Sequence, residues 1–160
     1  MAKLSIAKAQ VLFPLTVDIP TPHGADQVNF EAKHFKASVW AKMREDHTEL
    51  VNSSVKALFD AARKAGEEAF NAQPKPKSKR SEDEIEAAIE ALVQPVKQSE
   101  LTALKAKISG ALMANVFTAW DLDDTFSEVA LVEMCDLYPG SADSVFLKYN
   151  EALEGVRLGN

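Results

Sequence analysis

The chain has 160 residues, of which 46% are hydrophobic and 26% charged, and its formal net charge is −6. A chain of this length and composition most simply forms one compact unit with a real hydrophobic core, with or without an appended arm. No apolar run approaches the roughly 20 residues that cross a bilayer, and the N-terminus lacks the pattern of a secretion signal. We therefore expect a soluble protein made in a cytoplasm, with no membrane partner.

Two stretches within the first 37 residues, 10–19 and 28–32, have the period-two alternation of half-buried strands. Apolar residues share one face on either side of the turn-forming segment 20–26: Val11, Phe13, Leu15, Val17 and Ile19, then Val28, Phe30 and Ala32. This pattern predicts an N-terminal β-hairpin within residues 1–37. Pro14 has no N–H to donate, so its strand is predicted to lie at a sheet edge. Two strands alone are marginal in water, so the hairpin must cover a helix or meet another chain.

Residues 38–72 change to a helical period. Apolar side chains recur every three or four residues from Trp40 to Phe70, which predicts one long amphipathic helix. Its length exceeds that of a typical globular helix and indicates packing against a partner helix or a second copy of the chain. Self-association through 38–72 is one interpretation, and a break near residues 52–54 explains the pattern equally well.

The segment QPKPKSKRS, residues 73–81, interrupts this pattern with two prolines and four cations. Its composition is compatible with a nuclear-import-like signal or an arm that binds nucleic acid. A tract of four cations is too common to specify a partner, so we interpret it as a basic flexible linker. The acidic balance of −7 over residues 121–160 also argues against a surface that binds duplex nucleic acid there. We expect no nucleic-acid partner.

Residues 82–160 are predicted to form several short helices. Residues that cap, kink or stop helices mark their ends: Ser81 with Glu84, Pro95, Ser99, Ser127, Pro139 with Gly140, and Ser141. The apolar stripe of the helix predicted to begin at Ser99 runs through Val116 and Phe117. The helix predicted to begin at Ser127 places Leu131, Met134, Leu137 and Tyr138 inward. Cys135, the only cysteine, excludes an intramolecular disulfide and is predicted to be packed rather than reactive. The predicted fold class is mainly α with an N-terminal β-hairpin (α+β), a small helical bundle preceded by a long helix.

The segment WDLDDTF, residues 120–126, contains D-x-D-x-T, the nucleophile motif of haloacid-dehalogenase-type phosphatases. That chemistry needs a preceding buried parallel strand and, later in the chain, a phosphate-binding hydroxyl, a lysine and magnesium ligands. Here helical periodicity precedes the motif, and Lys148 is the sole lysine among the 35 residues that follow Thr125. An EF-hand starting at Asp121 fails as well, because Phe126 and Val132 stand where glycine and glutamate are needed.

No other catalytic pattern is present. The three histidines lack metal-ligand spacing, and no glycine-rich loop follows a strand. We therefore predict a protein that is not an enzyme and has no cofactor or metal. Trp120 and Phe126 then bracket an acidic turn as anchors, either within the core or for a partner.

Residues 116–160 resemble phage tail assembly chaperones. The resemblance rests on these features in this order: Trp120-Asp121-Leu122, Phe126-Ser127, Leu131 through Leu137, Tyr138-Pro139-Gly140, Phe146, Tyr149, Ala152-Leu153, Gly155, Arg157 and Asn160. The N-terminal hairpin followed by helices also fits this family. The long helix 38–72 and the basic linker are larger than the family pattern leads us to expect.

The resemblance implies a non-enzymatic role in building a long-tailed phage. Such chaperones coat the aggregation-prone tape-measure protein and help recruit subunits of the tail tube. They work in the cytoplasm of the infected host and are not expected in the mature virion. Recognition of a helix in an apolar groove would use aromatic residues: Trp120, Phe126, Tyr138, Phe146 and Tyr149. The alternative is another phage structural or adaptor protein, such as a head–tail connector; a nucleic-acid-binding regulator acting through 75–80 is a third hypothesis.

Overall fold

A computed structural model describes residues 11–76 and 79–158, excepting the side chains of 156–158. The elements follow in chain order: β1 Leu12–Thr21, β2 Gly24–Lys33, α1 Ala37–Asn71, α2 Glu82–Glu90, α3 Gln98–Val116, β3 Phe117–Trp120, α4 Glu128–Leu137 and α5 Ser141–Leu158. The predicted fold class, mainly α with an N-terminal β-hairpin, is confirmed. None of the described helices is both long and apolar enough to cross a bilayer.

The hairpin forms because its two strands bury the same alternating face. Leu15, Val17 and Ile19 are buried from β1, and Val28, Phe30 and Ala32 are buried from β2. The strands pair antiparallel from Leu12 opposite Lys33 to Thr21 opposite Gly24. Gly24 has a φ of 133°, a conformation that a side chain would strain, so it closes the turn.

A third strand, β3, completes the sheet in the order β1-β2-β3. The prediction that Phe117 continues a helical stripe is wrong: α3 ends at Val116, and Phe117 begins β3, which pairs antiparallel with β2. Both residues are buried, so burial alone cannot distinguish helix from strand here. The strand order places β1 at the edge, in agreement with Pro14.

The first of two compact units comprises residues 1–47 and 106–160. Helix α5 lies against β1, and the buried residues of the sheet, α3, α4 and α5 form one core. Aromatic rings occupy its centre, with 4.7 Å between the ring centroids of Phe30 and Phe117 and 4.6 Å between those of Trp40 and Tyr149. Burying large rings in this way is the main stabilising contribution in so small a core.

Close backbone approach joins α3 to α4 in this unit. A Cβ on Gly110 would lie 2.5 Å from Val132 Cγ2 and 2.8 Å from Val132 Cα. Such distances are shorter than van der Waals contact, so only glycine allows the two helices to pack here. Further along, Ser127 caps α4 by accepting a hydrogen bond from Ala130 N at 3.1 Å, as its sequence position predicts.

The second unit comprises residues 48–105. Helix α1 runs without interruption through residues 52–54, and the predicted capping box of Ser81 and Glu84 is present. Arg63 pairs with Glu86 at 2.7 Å. Among the described residues of this unit, no hydrophobic side chain belongs to the buried core; Phe59, for example, is 52% exposed.

Candidate partner-binding site

The acidic bend that follows β3 is held to the middle strand of the sheet. Asp121 Oδ1 accepts a hydrogen bond from Asn29 N at 2.8 Å, and Asp121 Oδ2 accepts one from Asn29 Nδ2 at 2.5 Å. In return, Asp121 N donates to Asn29 O at 3.1 Å. The side-chain and backbone hydrogen bonds from Asn29 lower the pKa of Asp121. The first carboxylate of the D-x-D-x-T motif therefore has a structural role: it joins the bend after β3 to the neighbouring antiparallel strand β2.

The aromatic residues on either side of the bend contact each other. The rings of Trp120 and Phe126 are perpendicular with centroids 5.4 Å apart, and Trp120 Nε1 donates to Asp124 O at 2.7 Å. Both side chains are only half-buried. They therefore stabilise the bend and still expose part of their apolar surface. Within the described residues, no three His, Cys, Asp or Glu side chains are grouped to hold a metal ion.

Beside this bend lies a groove of about 430 Å³, which we call the α4 groove. The two strands of the hairpin, the bend and one face of α4 form its walls. Its apolar lining consists of Ile19, Val28, Trp120, Leu122, Ala130, Met134, Leu137 and Tyr138. Leu122 is 38% exposed and Leu137 64% exposed, so the prediction that Leu137 points inward is wrong. Its position on α4 faces the groove rather than the core.

Three carboxylates also line the α4 groove, and each comes from a different element. Asp26 belongs to β2, Asp124 to the bend and Glu133 to α4. All three residues are exposed. Within the described part of the chain, the residues lining the groove include no lysine, arginine or histidine. The groove therefore combines an apolar lining with negative charge.

Phe146 lies at a different groove, formed by α1 and α5. This α1–α5 groove has a volume of about 770 Å³ and is also lined by Trp40 and Arg44. The guanidinium carbon of Arg44 lies 5.4 Å from the centroid of the Phe146 ring, a cation–π distance. His47 packs edge-on to Phe146 with centroids 5.5 Å apart, and burial lowers its pKa. Phe146 itself is buried.

Tyr149 lies in the core and lines neither groove. Its side chain is fully buried, its hydroxyl donates to Lys33 O at 2.6 Å, and Phe35 N donates to the hydroxyl at 3.4 Å. Burial raises the pKa of Tyr149. It fastens α5 to the end of β2.

The five aromatic residues singled out from the sequence therefore separate into three places. Trp120 and Tyr138 line the α4 groove, with Phe126 in contact with Trp120, whereas Phe146 lines the other groove and Tyr149 lies in the core. The sequence did not single out two residues that line the grooves: the exposed Leu122 of the α4 groove and the basic Arg44 of the α1–α5 groove. Their side chains carry no distinctive motif. One signal for Leu122 was available, since it is an apolar residue in an otherwise acidic turn.

A small α+β scaffold with two partly apolar grooves has the features of a protein that binds other polypeptides. The family model described as phage tail assembly chaperone matches residues 1–160, and the chain therefore belongs to this family. The match extends over the long helix and the basic linker as well as the C-terminal segment. No curated protein and no solved structure matches the chain significantly. Membership supports a non-enzymatic role in tail assembly within the infected host cell, with tail proteins as partners.

Proposed function

We propose that this chaperone binds the tape-measure protein, keeps it soluble and helps to recruit tail-tube subunits during tail morphogenesis. Family membership supports a role in tail assembly. The α4 groove is the structural observation that supports binding of the tape-measure protein. Leu122 and Leu137 expose apolar surface there without a covering element among the described residues. Exposed apolar surface that is gathered in a groove is a feature of protein-binding sites.

The proposed mechanism is shielding. A tape-measure protein is expected to be a long amphipathic helical chain whose apolar stripe aggregates when exposed. One stretch of that stripe would lie in the α4 groove against Trp120 and Tyr138, with Phe126 supporting Trp120. Phe146, which lines the α1–α5 groove but is buried, would support the wall of that groove, while Tyr149 maintains the core. The acidic residues of 121–160 that do not line the groove would remain outside and keep the complex soluble through net charge.

Several copies would be needed to cover a long partner, and we propose that the helix over 38–72 contributes to self-association. The observation in its favour is the exposure of apolar side chains along α1, including Leu50 and Phe59. Substituting Phe59→Asp should lower the oligomeric mass in sedimentation experiments. The matched change Val129→Asp, at a position on α4 that is 76% exposed, should leave the mass unchanged.

We further propose that the protein acts in the host cytoplasm without enzymatic activity and is absent from the finished virion. Mass spectrometry of purified virions tests the last point. A head–tail connector, the alternative function, would persist in those particles at a defined stoichiometry, whereas an assembly chaperone would be missing from them.

Co-expression with the tape-measure protein of the same phage tests the central claim. The tape-measure protein should remain soluble and co-purify with the chaperone, and it should precipitate when expressed alone. Leu137→Asp should reduce the soluble complex, because a charge would enter the apolar lining. Val129→Asp is the matched control on the same helix. If the tape-measure protein precipitates unbound beside the wild-type chaperone, the proposed function is wrong.

A further inference from the structure

We infer that the α4 groove selects partner segments in which lysine or arginine side chains flank apolar ones. The inference deepens the proposed function, on which it rests for the identity of the natural partner. Its starting point is the convergence of Asp26, Asp124 and Glu133 on one groove from three separate elements. Their convergence is a property of the tertiary fold, because the first and last of them lie 107 positions apart in the chain.

Within the described residues, these three carboxylates have no cationic partner. Elsewhere, acidic side chains on helices pair with neighbouring cations, as in Lys42–Asp46, Lys56–Asp60 and Lys148–Glu151. Over the ranges that the structure describes, no hydrogen bond or ion pair engages the side chains of Asp26, Asp124 or Glu133. An apolar groove whose described lining carries three negative charges and no positive one repels an acidic segment and attracts a basic one.

The aromatic lining fits the same occupant. Lysine and arginine carry long apolar stems that lie along apolar surface while the charged end remains in water. Trp120 and Tyr138 supply such a surface beside the carboxylates, and a cation near an aromatic face gains further attraction. A partner with an apolar stripe and basic flanks would therefore satisfy both features of the groove.

A second copy of the chain is a poorer occupant when the same groove is used on both copies. In a two-fold symmetric contact, the same surface meets itself. The acidic groove of one copy would then oppose the acidic groove of the other, and the like charges would repel each other. The charge of the groove thus favours a different, basic polypeptide.

The test uses two fluorescently labelled synthetic helical peptides with the same leucine stripe. One carries lysine and the other glutamate at the flanking positions, and binding to the full chain is measured by fluorescence anisotropy. The lysine peptide should bind about tenfold more tightly or better. Its affinity should fall when the salt concentration rises from about 0.05 M to about 0.5 M, because rim charges are screened.

A matched pair of variants localises the effect. Glu133→Lys should weaken binding of the lysine peptide by about fivefold or more and strengthen that of the glutamate peptide. Asp136→Lys makes the same change of charge on the same helix at an exposed residue outside the lining, and should change either affinity by less than about twofold. Circular dichroism of both variants checks that α4 remains folded.

Three outcomes would overturn the inference. Equal affinities for the two peptides would remove the charge preference, and equal effects of the two substitutions would show attraction by net charge alone. A change in the sedimentation of the isolated chain caused only by Glu133→Lys would identify another copy as the occupant. Each outcome is distinguishable from a failure of the solubility test. A chaperone that keeps its tape-measure protein soluble can still give any of these three results, and then only the charge preference of the groove is wrong.

Discussion

Asp121 and Asn29 join the acidic bend to the middle of the sheet through reciprocal hydrogen bonds. The Asp121 carboxylate accepts from the backbone and the side chain of Asn29, at 2.8 and 2.5 Å, and Asp121 N donates to Asn29 O at 3.1 Å. A residue that resembles the nucleophile of a phosphatase in sequence thus serves as a fastener between β2 and the segment after β3. The bend that it fastens forms one wall of the α4 groove.

Replacing Asp121 should therefore destabilise the fold, whereas replacing a neighbouring acid should not. Asp121→Ala removes both accepted hydrogen bonds and should lower the urea midpoint of unfolding at neutral pH. Asp123→Ala is the matched control, because Asp123 is exposed and makes no hydrogen bond within the described residues. Equal midpoints for the two variants would contradict the assigned role.

The contribution of Asp121 should also depend on pH. Hydrogen bonds from Asn29 lower its pKa below the ordinary value of 3.8, so the carboxylate stabilises the fold above that value. This stabilisation is lost as the pH falls through the lowered pKa of the folded state. The difference in urea midpoint between wild type and Asp121→Ala should be full at about pH 6 and shrink below about pH 3. A constant difference would contradict this linkage.

The hydroxyl of Tyr149 should contribute measurably to the free energy of unfolding. Tyr149→Phe removes the 2.6 Å hydrogen bond to Lys33 O and should cost about 1–2 kcal/mol. The matched variant is Tyr138→Phe, because the Tyr138 hydroxyl makes no hydrogen bond within the described part of the chain. This substitution should change the free energy of unfolding by less than about 0.5 kcal/mol. Urea titrations of both variants measure the two changes. If Tyr149→Phe leaves the free energy of unfolding unchanged, this hydrogen bond does not stabilise the fold.

Gly110 and Gly155 should respond oppositely to alanine. Gly110→Ala places a Cβ within 2.8 Å of the Val132 backbone and should destabilise by about 1–3 kcal/mol. Among the described residues, no atom lies within 4 Å of a Cβ built on Gly155, so Gly155→Ala should stabilise α5 by up to about 1 kcal/mol through helix propensity. Thermal unfolding should show a lower midpoint temperature for Gly110→Ala and a higher one for Gly155→Ala than for the wild type. A stabilising Gly110→Ala would contradict the close approach of α3 and α4.

The Cys135 thiol should react only when the fold opens. The residue is buried beside Met113, with 3.7 Å between the two sulfur atoms, and burial raises its pKa to about 11. At about pH 8 very little thiolate is present in the folded state, so a thiol reagent should modify the native chain slowly. The chain unfolded in urea is the comparison and should react rapidly. Fast modification of the native protein would show that Cys135 is accessible.

The elements that were predicted correctly are those whose signals are local. Alternation identifies the hairpin, and the Ser81–Glu84 box identifies the start of α2, because each pattern reflects interactions within a few residues. Strand β3 was missed for the opposite reason. It spans four residues, and its partner Phe30 lies 90 residues before Trp120 in the chain, so no nearby pattern reveals the pairing.

Exposure of individual side chains was also beyond local reasoning. Leu137 falls on an apolar stripe with Leu131 and Met134, yet Leu131 and Met134 are buried whereas Leu137 is exposed at the groove. Periodicity shows which residues share a helical face, but it does not show how far along the helix the covering layer extends. The length of that layer depends on the sheet, whose third strand comes from elsewhere in the chain.

The amino-acid sequence by itself determined the fold class, the helix caps at Ser81 and Ser127 and the family, because these depend on short-range periodicity and on the order of residues in the C-terminal segment. The predicted cap at Ser99 is wrong, because α3 already begins at Gln98. Tertiary structure alone decided that Asp121 fastens a bend, that Tyr149 lies in the core and that Asp26, Asp124 and Glu133 share one groove. Those relationships join residues up to 116 positions apart. They arise from the packing of β3, α4 and α5 around the hairpin, and no local interaction specifies such packing.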